Sequence, residues 1–325
     1  MKTLLKKATI TAAASTLLLG LTVVGTASAE AAAITCDSKS SGKDGPFYHG
    51  ESASYAYDNR FSKSHPVPAL ATNIPQGTAT WSNWDGSNDL ILVTSYESGH
   101  RSAIIIGIDA KTGKQVGQAL LAYSHVGGIA VFEKQGWAFV SGKGDTIRKY
   151  SLAKLKNAIK KSLPIEQEGK AQIVYASSFL TSHGPTNTLW AGKFEDAKRG
   201  LMHSYTVGAD GKLGYRPGSW EVPTKTQGLI VTKDLFIYST SHGRNNRSNI
   251  YVVRRGAGDK DLDTAKKHCF RAPSMSEGLT VYGSNVYLAF ESGAHYYSKA
   301  ADKPRNIISN LHKAPLSSLE ALAPR

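Results

Sequence analysis

The sequence predicts an all-β fold, a closed ring of repeated four-stranded sheets. Three observations predict it. A pattern of about 50 residues recurs five times from Gln76 onward. Each copy holds short apolar runs rich in β-branched and aromatic residues. Those runs are separated by the Gly-, Asp- and Pro-bearing pairs that tight turns require.

Aligned on the second residue of a small or polar pair, the copies begin at Gly77, Gly128, Ser178, Gly228 and Gly278, in steps of 51, 50, 50 and 50 residues. A short apolar strand follows each pair. A turn comes next, at Asp85-Gly86, Lys134-Gln135-Gly136, Gly184-Pro185, Lys233-Asp234 or Gly283-Ser284. A second strand follows, as in "DLFIYST", then a polar loop and a third strand: "SAIIIGID", "TIRKYSL", "LMHSYTV", "SNIYVVRR" and "AHYYSKA". A weaker fourth run precedes the next pair: "QVGQALLAY", "AQIVYAS", "GSWEVPT" or "KHCFRAP". Four strands per unit of this length is the pattern of a β-propeller blade, whose apolar faces only neighbouring blades can bury, so the array closes into a ring. Five pairs predict five blades over residues 74–325; six is the alternative, because 296 residues remain after residue 29.

The first 29 residues read as a secretory signal peptide. Lys2, Lys6 and Lys7 precede an apolar run, Ile10 to Val24, and Ala27-Ser28-Ala29 supplies small residues for cleavage. That run is short for a membrane span, and no later one is longer. The expected product is a secreted, extracellular monomer. Residues 30–73 form an N-terminal arm in which "KSHPVPALATNI" can lend an outer strand to the last blade and lock the ring. Cys36 and Cys269 are the two cysteines. In an oxidising compartment they are expected to pair, which in a chain-entropy account contributes about 4–5 kcal/mol, and to pin the arm beside the last blade; two free thiols are the alternative.

One segment departs from the β pattern. "SLAKLKNAIKKSL", residues 151–163, places Leu152, Leu155, Ile159 and Leu163 at helical spacing, with Lys154, Lys156, Lys160 and Lys161 opposite. It is either a helix docked on the ring or a basic amphipathic surface.

Chain geometry locates a candidate site. The first strand of a blade is innermost and the second runs antiparallel to it. The start of the first and the end of the second therefore share one face of the disc. Gln76, Gln227 and Glu277 ring the channel mouth there. Beside them rise the loops after the second strands, bearing Tyr96, Lys193, His242, Arg244, Asn245 and Glu291. Arg244 can hold a carboxylate or phosphate bidentately, and Gln and Asn offer donors and acceptors to hydroxyl-rich ligands. Glu277 and Glu291 can form an acid/base pair of the kind glycosidases use, with His242 as a general base. The alternative is that these groups merely satisfy strand-end amides and channel waters.

Composition narrows the partners. Without the three leader lysines, 36 Lys+Arg face 25 Asp+Glu, a net +11. Such a charge favours wall polymers or acidic polysaccharides, or simply confers solubility. It is dispersed, so no specific nucleic-acid site is expected. The chain has no G-x-S-x-G elbow, complete phosphate loop, dinucleotide fingerprint or zinc-spaced cluster, and no cofactor or metal is expected. "DKDLD" lacks the glycine and glutamate of a calcium loop. The five tryptophans sit in or beside strands and are expected to pack in the core.

The stretches "QGLIV…IYSTSHGRNNRSNIYVV" and "MSEGLTVYGSNVYLAFESGAHYY" resemble those of secreted bacterial, actinomycete-like β-propeller proteins, a group of unassigned function. The resemblance covers about residues 74–310 and implies the fold and export, with no catalytic residues carried over. More distantly, the strand–turn–strand pattern is similar to lactonase-like six-bladed propellers, whose channels carry acidic metal ligands. Here the repeat starts carry Gln76, Gly127, Ser177, Gln227 and Glu277, so a single acid stands where that pattern needs several. The expected function is an exported binding protein whose ligand at the channel mouth is a polar or anionic extracellular polymer, such as a polysaccharide or wall polymer, or a secreted protein. A carbohydrate-active hydrolase or lyase using Glu277 and Glu291, and a structural wall scaffold, are the alternatives.

Overall fold

The structure, a computed structural model, describes residues 34–40 and 53–324; the leader peptide lies outside the described residues. A short helix α1 (Tyr55–Asp58) leads into strand β1 (Ser62–Pro66). The first blade follows: β2 (Asn73–Trp81), β3 (Leu90–Glu97), β4 (Ser102–Asp109) and β5 (Gln115–Ala122). The second is β6 (Ile129–Phe132), β7 (Trp137–Ser141), β8 (Thr146–Ser151) and β9 (Gln172–Ile173), with helix α2 (Leu152–Lys161) inserted before β9. The third is β10 (Phe179–His183), β11 (Thr188–Gly192), β12 (Gly200–Val207) and β13 (Leu213–Val222). The fourth is β14 (Thr226–Val231), β15 (Leu235–Thr240), β16 (Ser248–Arg254) and β17 (Lys267–Ala272). The fifth contains β18 (Ser276–Tyr282), β19 (Asn285–Phe290) and, after a short helix α3 (His295–Ser298), β20 (Asn310–Pro315). Its outer strand is β1, so the sheet reads β1-β20-β19-β18 and the two ends of the chain close the ring. All five sheets are antiparallel and four-stranded: this is a five-bladed β-propeller.

Strand alternation explains the closure. Successive side chains on a strand point to opposite faces, and both faces of a blade are covered by neighbours. In β3, Leu90 and Leu92 join the cluster shared with the second blade, while Ile91 and Val93 join the one shared with the fifth. In β15, Leu235 and Ile237 pack toward the fifth blade, and Phe236 and Tyr238 toward the third. The core is therefore five clusters, one per interface between blades. Trp81, Trp84 and Trp190 are buried in it.

Several local expectations are corrected. "AHYYSKA" is not a strand: Tyr297 and Ser298 both donate their backbone N–H to the Ala294 carbonyl, which folds the segment into α3 and leaves β20 as the third strand. Helix α2 stops at Lys161, because Ser162 turns left-handed (φ 52°), and Leu163 lies beyond it at 41 % exposure. The helix docks on β5 of the first blade, where a side chain on Gly117 would strike the Ile159 carbonyl. Cys36 and Cys269 are bonded, with Cα atoms 4.5 Å apart, but Cys269 lies on β17. The arm is thus pinned to the outer edge of the fourth blade, where Asp37 bridges Phe270 in parallel. Helix α1 ties the arm to the fifth: Tyr57 Oη lies 2.8 Å from His312 Nδ1 in a buried hydrogen bond.

Four of the repeat starts owe their glycine to ring closure. A Cβ on Gly77 would lie 2.8 Å from Gly128 Cα, and one on Gly128 would lie 2.1 Å from the Leu180 nitrogen. A Cβ on Gly278 would lie 2.5 Å from the Thr78 nitrogen, and one on Gly228 would lie 3.0 Å from Gly278 Cα. The innermost strands touch backbone to backbone, and these glycines form a collar around the axis. Hydroxyls from the second strands fasten it. Thr94 Oγ1 accepts from Gly77 N at 2.9 Å and donates to the Val126 carbonyl of the next blade at 2.7 Å. Ser141 Oγ accepts from Gly128 N at 2.9 Å, and Ser239 Oγ donates to the Glu277 carbonyl of the next blade.

The contacts blocking a Cβ are backbone atoms that cannot swing away. Gly128→Ala and Gly278→Ala are each expected to destabilise the protein by about 2–3 kcal/mol or more in urea unfolding. Gly184→Ala, which meets nothing within 4 Å, is expected to leave the midpoint unchanged. Reduction of the Cys36–Cys269 bond is expected to lower the thermal midpoint, with Cys36→Ser/Cys269→Ser reproducing the shift.

Candidate functional site

Beside the collar the inner strands bulge. Pairing skips between Pro75 and Thr78, between Thr226 and Gly228, and between Ser276 and Leu279. A bulge inserts an unpaired residue and re-aims its side chain, so Gln76, Gln227 and Glu277 leave the ladder at the same level of three blades. The linkers entering the second, fourth and fifth blades are strained there, with Val126, Lys225 and Met275 at φ 46°, 65° and 62°. For a β-branched valine that conformation is costly and is held by its surroundings.

The structure brings Gln76, Glu277 and Glu291 together. Glu277 is 1 % exposed and Gln76 2 %. Gln76 Nε2 donates to the Pro75 carbonyl at 2.8 Å and to Glu291 Oε2 at 3.3 Å. The Tyr297 hydroxyl also hydrogen-bonds the Glu291 carboxyl and shares a hydrogen bond with Tyr96. Burial raises the Glu291 pKa to about 7, against the hydrogen bonds from Tyr297 and Gln76 and the charge of Arg244. Glu277 is pushed well above the ordinary carboxyl range by burial and by the neighbouring Glu291 charge. Its Oε1 has no hydrogen-bond partner among the described residues, as suits a neutral acid rather than a buried anion. Burial and the Glu291 charge also raise the pKa values of Tyr96 and Tyr297.

Arg244 has a different role from the one its type implies. Its guanidinium pairs with Asp302 and lies over the Tyr297 ring, 5.0 Å from the centroid. The Arg305 N–H donates to its carbonyl at 3.0 Å. The 241–247 loop therefore braces the 291–309 loop and holds Tyr297 over Glu291. His242 is exposed and stands edge-on to Phe194, 5.8 Å between centroids. Asn245 is exposed, its carbonyl accepting from Arg305 Nε at 3.2 Å. Lys193 is exposed and pairs with Glu195 at 3.5 Å. Glu277 is buried among strands, while Glu291 is only partly buried.

Gln227, by contrast, faces a cavity. On the same face a cavity of about 400 Å³ is lined by Gln227, Ser177, Ser178, His125, Phe194 and neighbouring backbone glycines. Its wall is built from linkers and second-strand loops of the second, third and fourth blades. His125 packs on Tyr96 at 4.6 Å, and His100 stacks on Tyr123 at 5.3 Å. Buried Arg148 fixes that linker by donating to the Ala122 carbonyl at 2.7 Å and to Ser124 Oγ at 2.5 Å. Sequence reasoning missed Tyr297, Tyr123, His125 and Arg148. The signal available for two of them was the "AYSH" run just before the second repeat start. Among the described residues, no group of three or more His, Cys, Asp or Glu side chains could hold a metal ion.

No protein-family model and no curated protein matches the chain. Solved structures similar to it include U3-55K, at 6% identity and a TM-score of 0.41 over 79% of this chain and 99% of that one. The RRP9 WD40 repeats align at 8% identity and a TM-score of 0.37 over 78% and 99% of the two chains. A structural genomics protein of unknown function from Bacteroides thetaiotaomicron aligns at 9% and 0.38 over 79% and 75%. At these scores the likeness carries no argument about function, and the fold rests on the strand pairing itself.

The carboxyl pair gives the protein a signed pH dependence. The folded Glu291 pKa lies above its ordinary value of 4.5, so the unfolded chain releases that proton first. Stability is then complete below about pH 4.5 and declines as pH rises toward about 7. The expected loss is roughly 3 kcal/mol. Thermal unfolding of wild type against Glu291→Gln between these limits checks it: the variant should show a shallower decline, because burial still raises the Glu277 pKa. Glu277→Gln should be at least as stable as wild type at alkaline pH.

Proposed function

We propose that this chain is an exported β-propeller binding protein that takes a polar extracellular ligand at the channel mouth. The observation that carries the reading is the cavity of about 400 Å³ on the loop face, into which residues from three blades converge. Its size lies in the ~300–1,000 Å³ range of small-ligand sites. Gln227, Ser178 and His125 on its wall make no side-chain hydrogen bond among the described residues, so their capacity is available to a ligand. Burial of Glu277 supports a binding role over two-carboxyl hydrolysis. Export rests on the basic start, apolar run and Ala27-Ser28-Ala29 of the leader; among the described residues, no helix is long and apolar enough to cross a membrane.

Mature protein should be retained by wall material, by a polysaccharide or by a secreted protein, and Gln227→Ala should weaken that retention about tenfold. Retention indifferent to Gln227→Ala would move the site off the channel mouth. Complete absence of retention would leave a structural scaffold as the better reading. The exported form is expected to begin at Glu30, which mass spectrometry of the secreted N-terminus checks.

A further inference from the structure

The channel-mouth cavity differs in character from the molecule around it. The chain is strongly basic, yet no Lys, Arg, Asp or Glu lies on the cavity wall. The two cations expected at the rim are already engaged, Lys193 by Glu195 and Arg244 by Asp302. No opposite charge on the wall would offset the desolvation of an anionic ligand.

What the wall does carry is neutral and two-way. The Gln227 amide, the Ser178 hydroxyl and the His125 imidazole each donate and accept, and none is spent on the protein among the described residues. Desolvation and the nearby His100 lower the His125 pKa, which favours its neutral imidazole. Gly144, where a Cβ would meet nothing within 4 Å, leaves backbone open to close approach. Phe194 adds an apolar ring that His242 holds edge-on and that remains half-exposed. An apolar platform beside uncharged groups that both give and receive hydrogen bonds matches a sugar ring, which has C–H faces and a hydroxyl edge.

Resting on the channel-mouth reading above, we infer that the ligand is a neutral saccharide unit, free or within a polymer, stacked on Phe194 with its hydroxyls read by Gln227, Ser178 and His125. The protein's positive charge lies outside this site.

Calorimetric titration of the mature protein with neutral oligosaccharides and with uronate oligomers, each at low and high salt, tests this. A neutral oligosaccharide should bind with an affinity that salt leaves nearly unchanged. Phe194→Ala and Gln227→Ala should each weaken it about tenfold, Phe194→Trp should retain it, and Lys111→Ala on a remote turn should have no effect. Circular dichroism confirms that each variant is folded. If uronates bind, salt weakens them and Gln227→Ala abolishes binding while neutral sugars do not bind, the saccharide assignment is overturned and the channel-mouth site stands. If neutral sugars bind but ignore both cavity substitutions, the two readings fall together. If only a secreted protein is retained, and Gln227→Ala releases it, the saccharide assignment alone falls.

Discussion

Everything in this molecule depends on how closely five blades must approach at their inner edges. A ring of five sheets has a narrow axis. At the repeat starts the innermost strands meet without side chains between them, and Gly77, Gly128, Gly228 and Gly278 are the residues that permit it. Glycine here is a matter of space rather than of backbone freedom: none of the four has a positive φ. Thr94, Ser141 and Ser239 then join second strands to the collar, and two of them reach into the next blade.

The collar shapes the site above it. Backbones in contact cannot carry a regular ladder through the same level, so β2, β14 and β18 bulge there. Bulged residues leave the sheet and turn toward the mouth. In the fifth blade that residue is Glu277, and the 291–309 loop closes over it, which turns an acid into a buried neutral partner of Glu291. In the fourth blade the corresponding Gln227 has no such cover and faces the cavity. One repeat position therefore has two fates, decided by the length of a neighbouring loop.

Electrostatics divide the face in the same way. Toward the fifth blade, charges are paired or neutralised: Arg244 with Asp302, Gln76 and Tyr297 on Glu291. Toward the second and third blades aromatic contacts gather, His125 on Tyr96 and His100 on Tyr123, beside a cavity lined by Phe194 and by no Lys, Arg, Asp or Glu. The loop that holds His242, Arg244, Asn245 and Asn246 belongs to the first region. It braces the neighbouring loop through Arg244 with Asp302 and through the Arg244 and Asn245 carbonyls with Arg305.

By itself the sequence determined the repeat, most of the strands within it, and a choice of five blades with six as the alternative. These are local: period-two apolar runs and turn residues are legible along a strand, and a step of 50 residues is legible along the chain. It also placed Gln76, Glu277 and Glu291 near one another, since antiparallel strands put the start of one beside the end of the next. Only the tertiary structure decided that "AHYYSKA" is a helical turn with Tyr297 on Glu291, that Cys36 reaches the fourth blade and not the fifth, and that Arg244 faces Asp302. It alone decided which carboxyl is enclosed and which amide meets the cavity. The reason is physical: a proton's affinity and a side chain's partner depend on groups far off in the chain, 215 residues for Gln76 and Glu291 and 255 for Tyr57 and His312, and those contacts exist only once the ring has closed.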